Sequence, residues 1–395
     1  MINETYKAML KGKSIIRELS EYATARGKEI GYENVFDYSL GNPSVPCAKS
    51  YTDTVIDMYE NMNPMDIHGY SPSLGIESVR EPVADSLNRR FDMDYEAKHI
   101  FMASGAAGAL AHALRGVTKP GDEVLTFAPC FPEYFPYVNT TGAQLKVVPA
   151  NTTNFQINFH EFKKALNPKV MAVLINTPNN PSGAVYSEDT IKELASILVE
   201  KQEEYGHGIY LITDEPYREL VYDDIKVPYL LNYYDNTLVG YSFSKSLSLP
   251  GERIGYIVVS NKMKNAGDVY AAVCGAGRAL GYVCAPSLFQ RVAARCIGQT
   301  ADVSVYKKNR DLLYQGLTQY GYKCVRPDGA FYLFVKAMEE DANAFCERAK
   351  KYELLLVPGD DFGCPGYVRI SYCVTTEQIE CALPAFEKLS KEYHS

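Results

Sequence analysis

Residues 237–260 read TLVGYSFSKSLSLPGERIGYIVVS and hold two apolar runs, TLVGYS and IGYIVVS, around a polar segment. The runs are apolar almost throughout instead of alternating, which is typical of strands that helices cover on both faces. The segment between them is rich in serine and carries two cations, Lys245 and Arg253. This stretch therefore predicts two buried strands with a cationic loop at the end of the first.

Five more apolar runs precede this stretch, and they end at Ala103, Phe127, Pro149, Ile175 and Thr213. Longer segments separate them, such as residues 187–204, where apolar residues recur at helical spacing. Alternating strands and helices indicate crossover connections. We therefore predict an α/β fold with a seven-stranded, mainly parallel sheet and helices on both faces.

The pattern changes after about residue 286, where long charged helices surround short strands such as AFYLFVK and YVRISYC. The chain has 395 residues, and chains of this length commonly fold as two domains. We predict a large domain over residues 45–285. A smaller α+β domain would combine residues 1–44 with residues 286–395.

Composition excludes several classes of function. The net charge is −8, so the chain has no overall basic field for nucleic acid or anionic lipid. No apolar run approaches the roughly 20 residues that span a bilayer, and the N-terminal residues lack the apolar core of a signal peptide. These two features predict a cytoplasmic protein. The ten cysteines and six histidines show no ligand spacing, which predicts reduced thiols and no metal site.

Lys245 follows directly after a predicted buried strand. Burial disfavours the charged form of lysine and lowers its pKa. A neutral amine at this place could form a Schiff base with an aldehyde cofactor. The alternative is an ordinary solvated lysine in a loop, since most lysines are exposed.

Small residues follow the strand that ends at Ala103, in the sequence SGAAGALAHAL. The backbone amides of Gly105, Ala106 and Ala107 could face a phosphate at the positive end of a helix. A tight strand-to-helix turn explains the same glycine without any ligand.

Two further strand ends carry polar residues. Asn180 lies in the turn of VLINTPNNPSG, and Asp214 and Tyr217 follow the run GIYLIT. A buried acid has to be paired, and a protonated ring nitrogen could supply the cation for Asp214. Asn-Pro turns and helix N-caps are common structural alternatives for these residues.

Taken in order, SGAAGA, PCFPEY, NTPNNPSG, DEPY, SFSKSLSLPGERIG and VRIS resemble the motifs of the class I/II aminotransferases, in particular the aspartate aminotransferase-like enzymes. The resemblance runs from Gly41 to Ser371. It implies fold type I, pyridoxal 5′-phosphate as cofactor and a homodimer. It also implies transfer of an amino group from an aspartate-like, aromatic or broader range of amino acids to a 2-oxo acid such as 2-oxoglutarate, through a Lys245 Schiff base and pyridoxamine phosphate.

The resemblance also implies a role for each matching residue. Lys245 would carry the cofactor and move the proton between the substrate and the cofactor. Asp214 would pair with the ring nitrogen, and Asn180 and Tyr217 would hydrogen-bond the phenolic oxygen. Phe131 would stack on the ring face. The phosphate would be held by Ser242, Arg253 and the amides of Gly105, Ala106 and Ala107.

Three more positions concern the substrate and the neighbouring subunit. Arg369 matches the arginine that binds the substrate α-carboxylate, and Gly41 matches a backbone contact to the same group. Tyr70 matches a tyrosine that reaches the phosphate site of the partner subunit. Arg278 is a looser match to a residue that could recognise a second carboxylate.

Two other functions remain open from the sequence. A C–S β-lyase would use the same lysine, aspartate and arginine but would expel a leaving group from Cβ, without needing a 2-oxo acid. A non-catalytic sensor would carry an aminotransferase-like domain behind a DNA-binding head. We expect no such head, because the roughly forty residues before Gly41 show neither a recognition-helix pattern nor a basic cluster.

Overall fold

A computed structural model describes residues 2–11 and 15–394 of the chain. The strands of the described residues are β1 (Phe36–Asp37), β2 (Ile100–Ala103), β3 (Glu123–Phe127), β4 (Gln144–Val148), β5 (Val170–Asn176), β6 (Tyr210–Asp214), β7 (Thr237–Ser242), β8 (Gly255–Val259), β9 (Lys323–Cys324), β10 (Tyr332–Lys336), β11 (Leu354–Leu355), β12 (Val357–Pro358) and β13 (Tyr367–Ser371).

The α-helices surround these strands. They are α1 (Glu4–Lys11), α2 (Ile15–Ile30), α3 (Lys49–Asn61), α4 (Pro64–His68), α5 (Glu77–Phe91), α6 (Gly105–Val117), α7 (Tyr134–Asn139), α8 (Phe159–Ala165), α9 (Glu188–Tyr205), α10 (Phe243–Ser246), α11 (Ala266–Ala279), α12 (Ser287–Arg295), α13 (Ser304–Gln319), α14 (Ala342–Ala349) and α15 (Thr376–Lys391). Within the described ranges, none of them combines the length and the apolar character that crossing a membrane requires.

The largest sheet has seven strands in the order β2-β8-β7-β6-β5-β3-β4. Strand β8 runs antiparallel to both of its neighbours, and the remaining pairs are parallel. The seven strands are those predicted from the apolar runs, with ends that coincide or differ by at most two residues. The predicted α/β fold with a mainly parallel sheet is thus confirmed.

Helix α6 packs closely on this sheet because its inner face is made of small and aliphatic residues. Leu110 and Leu114 are at most 1% exposed, and burying a leucine side chain contributes about 1.5–3 kcal/mol to stability. Gly116 lets helix α11 cross nearby, since a Cβ at Gly116 would lie 3.1 Å from the backbone nitrogen of Val273. The close packing fixes the N-terminus of α6 at one edge of the sheet.

Two smaller sheets lie outside the seven-stranded one. Strands β12, β13, β10 and β9 form an antiparallel sheet, and β1 pairs in parallel with β11. Phe331, Phe345 and Phe386 belong to the buried core of this region. The division into a large domain (45–285) and a small domain (1–44 and 286–395) stays a prediction.

The strand register brings several loops to one edge of the large sheet. Asp214 is opposite Asn176 on β5, and each is the last residue of its strand. Ala103 and Ser242 are both opposite Gly255, one from each side of β8. A Cβ at Gly255 would lie 3.1 Å from the Cα of Gly105 and closer still to the carbonyl oxygen of Tyr241. A glycine there lets the loops that follow β2 and β7 approach each other.

Candidate active site

Lys245 lies in the short helix α10, one turn beyond the end of β7. The Ser242 side chain caps this helix by accepting a hydrogen bond from the Ser244 amide at 3.2 Å. The Lys245 Nζ donates to the carbonyl oxygen of Gly41 at 2.6 Å. Burial lowers the pKa of Lys245 to about 8, and Arg253 and Arg369 act in the same direction. A tenth or so of this amine is therefore neutral at pH 7, so the side chain can act as a nucleophile and as a base.

Asp214 is the last residue of β6 and is 6% exposed. Its Oδ2 accepts a hydrogen bond from the Tyr134 hydroxyl at 2.7 Å, whereas its buried Oδ1 has no partner among the described residues. Burial raises the pKa of Asp214 to about 7; the hydrogen bond from Tyr134 lowers it and the charge of Glu215 raises it. A cation beside Oδ1 would satisfy this atom and stabilise the ionised carboxylate.

Asn180 and Tyr217 line the same cavity as Asp214. The backbone N–H of Asn180 donates to Oδ1 of Asn176 at 2.7 Å. The side-chain Oδ1 of Asn180 accepts from Nη1 of Arg369 at 3.2 Å. The side-chain nitrogen of Asn180 is then the atom suited to donate to a ligand. The Tyr217 hydroxyl lies 2.9 Å from the hydroxyl of Tyr332.

Arg369 is 2% exposed and comes from β13, in the sheet opposite Lys245. Its guanidinium carbon lies over the rings of Tyr332 and Phe362, at 4.9 Å and 5.0 Å from their centroids. Its Nη2 donates to the carbonyl oxygen of Ser39 at 2.5 Å, and its buried Nε has no partner in the described part of the chain. Burial lowers the pKa of Arg369. A buried guanidinium without a carboxylate partner is a binding site for an anion.

A second cationic site forms where the loops after β2 and β7 meet. Arg253 has a left-handed backbone (φ 51°), and its Nη2 donates to the carbonyl oxygen of Ser104 at 3.3 Å. Its Nη1 lies 3.5 Å from Oγ of Ser244. A Cβ at Gly105 would lie 2.6 Å from Nη2 of Arg253, and Gly105 itself has φ +74°. The N-terminal amides of α6, Arg253 and the serine hydroxyls together suit a phosphate.

These groups surround one cavity of about 380 Å³. The predicted residues for the cofactor ring and amine all line it: Phe131, Asn180, Asp214, Tyr217 and Lys245. The predicted anion contacts that line it are Gly41, Ala106, Ala107, Ser242, Arg253 and Arg369. No group of three or more potential metal ligands lies together anywhere in residues 2–11 and 15–394.

Three predicted residues do not line this cavity. Gly105 lies immediately behind the wall, against Arg253. Tyr70 is 93% exposed in the single chain. Arg278 lies in the last turn of helix α11, away from the cavity wall. Gly105 is nevertheless in close contact with one residue of the wall, Arg253.

Sequence reasoning missed three residues of the site. Tyr134 lay within the quoted motif PCFPEY, but its hydrogen bond to Asp214 joins residues that are 80 positions apart. Tyr332 lay in the run AFYLFVK, which indicated only a core strand. Ser244 was visible as one of the serines beside Lys245, and its position next to Ser242 was the available signal.

The cavity fits pyridoxal 5′-phosphate on four observations of this structure. The unpartnered Oδ1 of Asp214 suits a protonated ring nitrogen. The Arg253 and α6 cluster suits the phosphate, and Phe131 presents an aromatic side chain to the same cavity. Lys245 supplies the only lysine amine on the described cavity wall.

Comparison with known proteins identifies the family. Residues 33–386 match the family described as aminotransferase class I and II. The chain belongs to this family. Aminotransferases of this class use pyridoxal 5′-phosphate, and the present enzyme is a pyridoxal-phosphate-dependent aminotransferase of fold type I, as the sequence predicted.

Individual relatives support the assignment. An aspartate aminotransferase from Thermotoga maritima is 30% identical over 361 residues, covering 90% of this chain and 91% of the relative. An aromatic-amino-acid aminotransferase from Thermococcus litoralis is 30% identical, with 92% and 93% covered. A crystal structure of an amino transferase from Eubacterium rectale has a TM-score of 0.98 and 51% identity, and each chain is covered completely.

Proposed function

We propose that this aminotransferase moves the amino group of an aspartate-like or aromatic amino acid to a 2-oxo acid such as 2-oxoglutarate, at the cavity around Lys245. One observation carries the proposal. A single cavity wall holds the Lys245 amine, the unpartnered carboxylate oxygen of Asp214 and the buried guanidinium of Arg369. An amine, an acid and a carboxylate-binding cation are the groups that this transfer needs.

The chain's own residues divide the work as follows. Bound pyridoxal 5′-phosphate supplies an aldehyde that reacts with amines and a ring that accepts the electrons left at the substrate Cα. Asp214 holds positive charge at the ring nitrogen. Lys245, with its pKa lowered to about 8, takes the proton from Cα and returns it, because an amine near neutral pKa serves both steps. Arg369 binds the α-carboxylate and fixes the direction in which the Cα–H bond points.

The remaining predicted residues hold the cofactor in place. Asn180 and Tyr217 donate to the phenolic oxygen, and Phe131 packs on the ring. Ser242, Arg253 and the amides of Gly105, Ala106 and Ala107 bind the phosphate, and Ser244 joins this set because it lies 2.8 Å from Ser242. The positions of these residues on the cavity wall, and the close approach of Gly105 to Arg253, support this proposal.

Two observations support an aspartate-like or aromatic amino donor. The relatives carry the names aspartate aminotransferase and aromatic-amino-acid aminotransferase, and the cavity wall includes Leu110, Tyr137 and Tyr332 beside Phe131. The cations on the described part of the wall, Lys245, Arg253 and Arg369, all have roles already. A second carboxylate on the donor would need a cation from elsewhere, such as a partner subunit.

A panel of amino donors tests the proposal. The purified enzyme with cofactor is incubated with aspartate, phenylalanine, tyrosine, alanine and lysine, each with and without 2-oxoglutarate, and glutamate is measured. We expect glutamate from aspartate or the aromatic donors only when 2-oxoglutarate is present. Ammonia and pyruvate released from a cysteine conjugate without any acceptor would instead assign the lyase. Full turnover in Lys245→Ala would contradict both assignments.

We further propose a homodimer in which Tyr70 of one subunit reaches the phosphate site of the other. Its side chain is 93% exposed in the single chain, so it is available for contact with a partner subunit. We expect analytical ultracentrifugation to show dimers, and we expect Tyr70→Phe to bind the cofactor more weakly. A monomer with a full complement of cofactor would contradict the proposed dimer.

The ten unpaired cysteines suit the reducing cytoplasm that we propose as the location of this enzyme.

A further inference from the structure

The hydroxyl of Tyr332 lies where three parts of the site meet. Tyr332 is the first residue of β10 and is 2% exposed. Its hydroxyl is 2.9 Å from the Tyr217 hydroxyl, and a Cβ at Gly41 would lie only 2.1 Å from the same oxygen. Its ring lies 4.9 Å from the guanidinium carbon of Arg369. One side chain therefore contacts the proposed cofactor side and the proposed substrate side of the cavity.

The direction of the hydrogen bond between the two tyrosines follows from counting protons. A phenol has one proton to donate. If Tyr217 donates its proton to a ligand oxygen, its own oxygen can only accept from Tyr332. Burial raises the pKa of Tyr332 to about 12, so Tyr332 keeps its proton at neutral pH and is able to donate.

We propose that Tyr332 is a positioning residue that holds Tyr217 as a hydrogen-bond donor to the cofactor's phenolic oxygen; this rests on the proposed function. The proposal concerns the hydroxyl and not the ring. Phenylalanine at position 332 would keep the ring beside Arg369 and fill nearly the same volume, but it would remove the donor to Tyr217.

The effect of losing the Tyr332 hydroxyl follows from the cooperativity of consecutive hydrogen bonds. A hydroxyl that accepts one hydrogen bond becomes a better donor in the next. Donors to the phenolic oxygen stabilise its anionic form, so the cofactor-bound enzyme releases its proton at a lower pH. Loss of the Tyr332 hydroxyl therefore raises the pH midpoint of the visible-absorbance change, by about 0.5–1 unit if one hydrogen bond is weakened.

The experiment is a double-mutant cycle read by absorbance titration of the cofactor-bound enzyme. The variants are Tyr332→Phe, Tyr217→Phe and the double variant. Tyr322→Phe is the matched control, since this buried tyrosine also loses one hydrogen bond, to the carbonyl oxygen of Phe386, in the core away from the cavity. Cofactor dissociation constants and urea unfolding are measured for every variant.

The expected result is a midpoint raised in Tyr332→Phe, raised at least as far in Tyr217→Phe, and not raised further in the double variant. The control should titrate like the wild type. Two results would overturn the role of Tyr332 while leaving the proposed function intact. One is a pH midpoint that does not change in Tyr332→Phe. The other is a double variant in which the midpoint shifts of the two single variants add. A wild-type protein that shows no visible cofactor band would overturn the proposed function itself, and the role of Tyr332 with it.

Discussion

The Tyr134 hydroxyl donates a hydrogen bond of 2.7 Å to Oδ2 of Asp214 and leaves Oδ1 without a partner in the described chain. Tyr134 is itself 1% exposed, so the two groups are fixed relative to each other inside the protein. Through this contact Oδ2 faces helix α7, and Oδ1 remains available to a ligand. It also lowers the pKa of Asp214, against the effect of burial.

Removal of this hydroxyl should weaken cofactor binding. In Tyr134→Phe the carboxylate loses a hydrogen bond to its charged form, which is worth about 1.5–3 kcal/mol, so we expect the cofactor dissociation constant to rise about tenfold or more. Absorbance titration of the apoenzyme with pyridoxal 5′-phosphate measures it. Tyr234→Phe is the control, because that buried tyrosine donates to the carbonyl oxygen of Ile209 outside the cavity. Equal affinities in the two variants would refute the role of Tyr134.

The stability of the cofactor-free enzyme should depend on pH through Asp214. The pKa of Asp214 is raised to about 7 in the folded protein, against about 3.9 in an unfolded chain. The folded state therefore binds this proton more tightly, so stability is full below about pH 4 and declines until about pH 7. The difference between the two pKa values of Asp214 corresponds to a loss of at most about 4 kcal/mol in the free energy of unfolding.

Urea unfolding of the apoenzyme between pH 4 and pH 8, compared with Asp214→Asn, isolates this contribution. Asn cannot ionise, so we expect the difference between the two stability curves to change from about pH 4 to about pH 7 and to level off towards pH 8. In Tyr134→Phe the decline should continue to higher pH, because the bond that lowers the Asp214 pKa is gone. Parallel curves for wild type and Asp214→Asn would show that Asp214 does not titrate there.

Arg369→Lys should impair substrate binding more than cofactor binding. Lysine cannot reproduce the planar pair of N–H donors that a carboxylate accepts. We expect kcat/KM for the amino donor to fall about 10–100-fold, with the visible absorbance of the bound cofactor unchanged. Steady-state kinetics and visible absorbance measure the two effects. A kcat/KM equal to the wild-type value would remove Arg369 from the substrate site.

Arg253→Gln should discriminate between phosphorylated and unphosphorylated cofactor. The guanidinium belongs to the proposed phosphate site, so its loss should weaken pyridoxal 5′-phosphate about tenfold or more but change pyridoxal binding little. Arg278→Ala serves as the control, since Arg278 lies outside the cavity wall. Equal weakening of both ligands in Arg253→Gln would argue for a general structural role.

The fold was predictable because its determinants are local in sequence. Strands β5, β6 and β7 are buried on both faces, and their apolar runs predicted them to within two residues. The rule that polar residues gather at strand ends also found Asp214, Ser242 and Lys245. The exact strand ends differ because Asp214 continues β6 by one residue beyond the apolar run.

Contacts between distant residues could not be predicted in this way. The bond between Tyr217 and Tyr332 joins residues 115 positions apart, and each belongs to a different sheet region. Nothing in the run AFYLFVK distinguishes a site tyrosine from a core tyrosine. Tyr70 is a different case, because its proposed role needs a second chain.

Lys245 is the residue proposed to carry the cofactor, through a Schiff base. Borohydride reduction of the cofactor-bound enzyme makes such a linkage permanent, and proteolysis with peptide mass analysis then locates it. We predict a pyridoxyl-phosphate modification at Lys245 in stoichiometric amount, and none in Lys245→Ala. A modification found on another lysine, or none at all in an enzyme that turns over, would contradict the account.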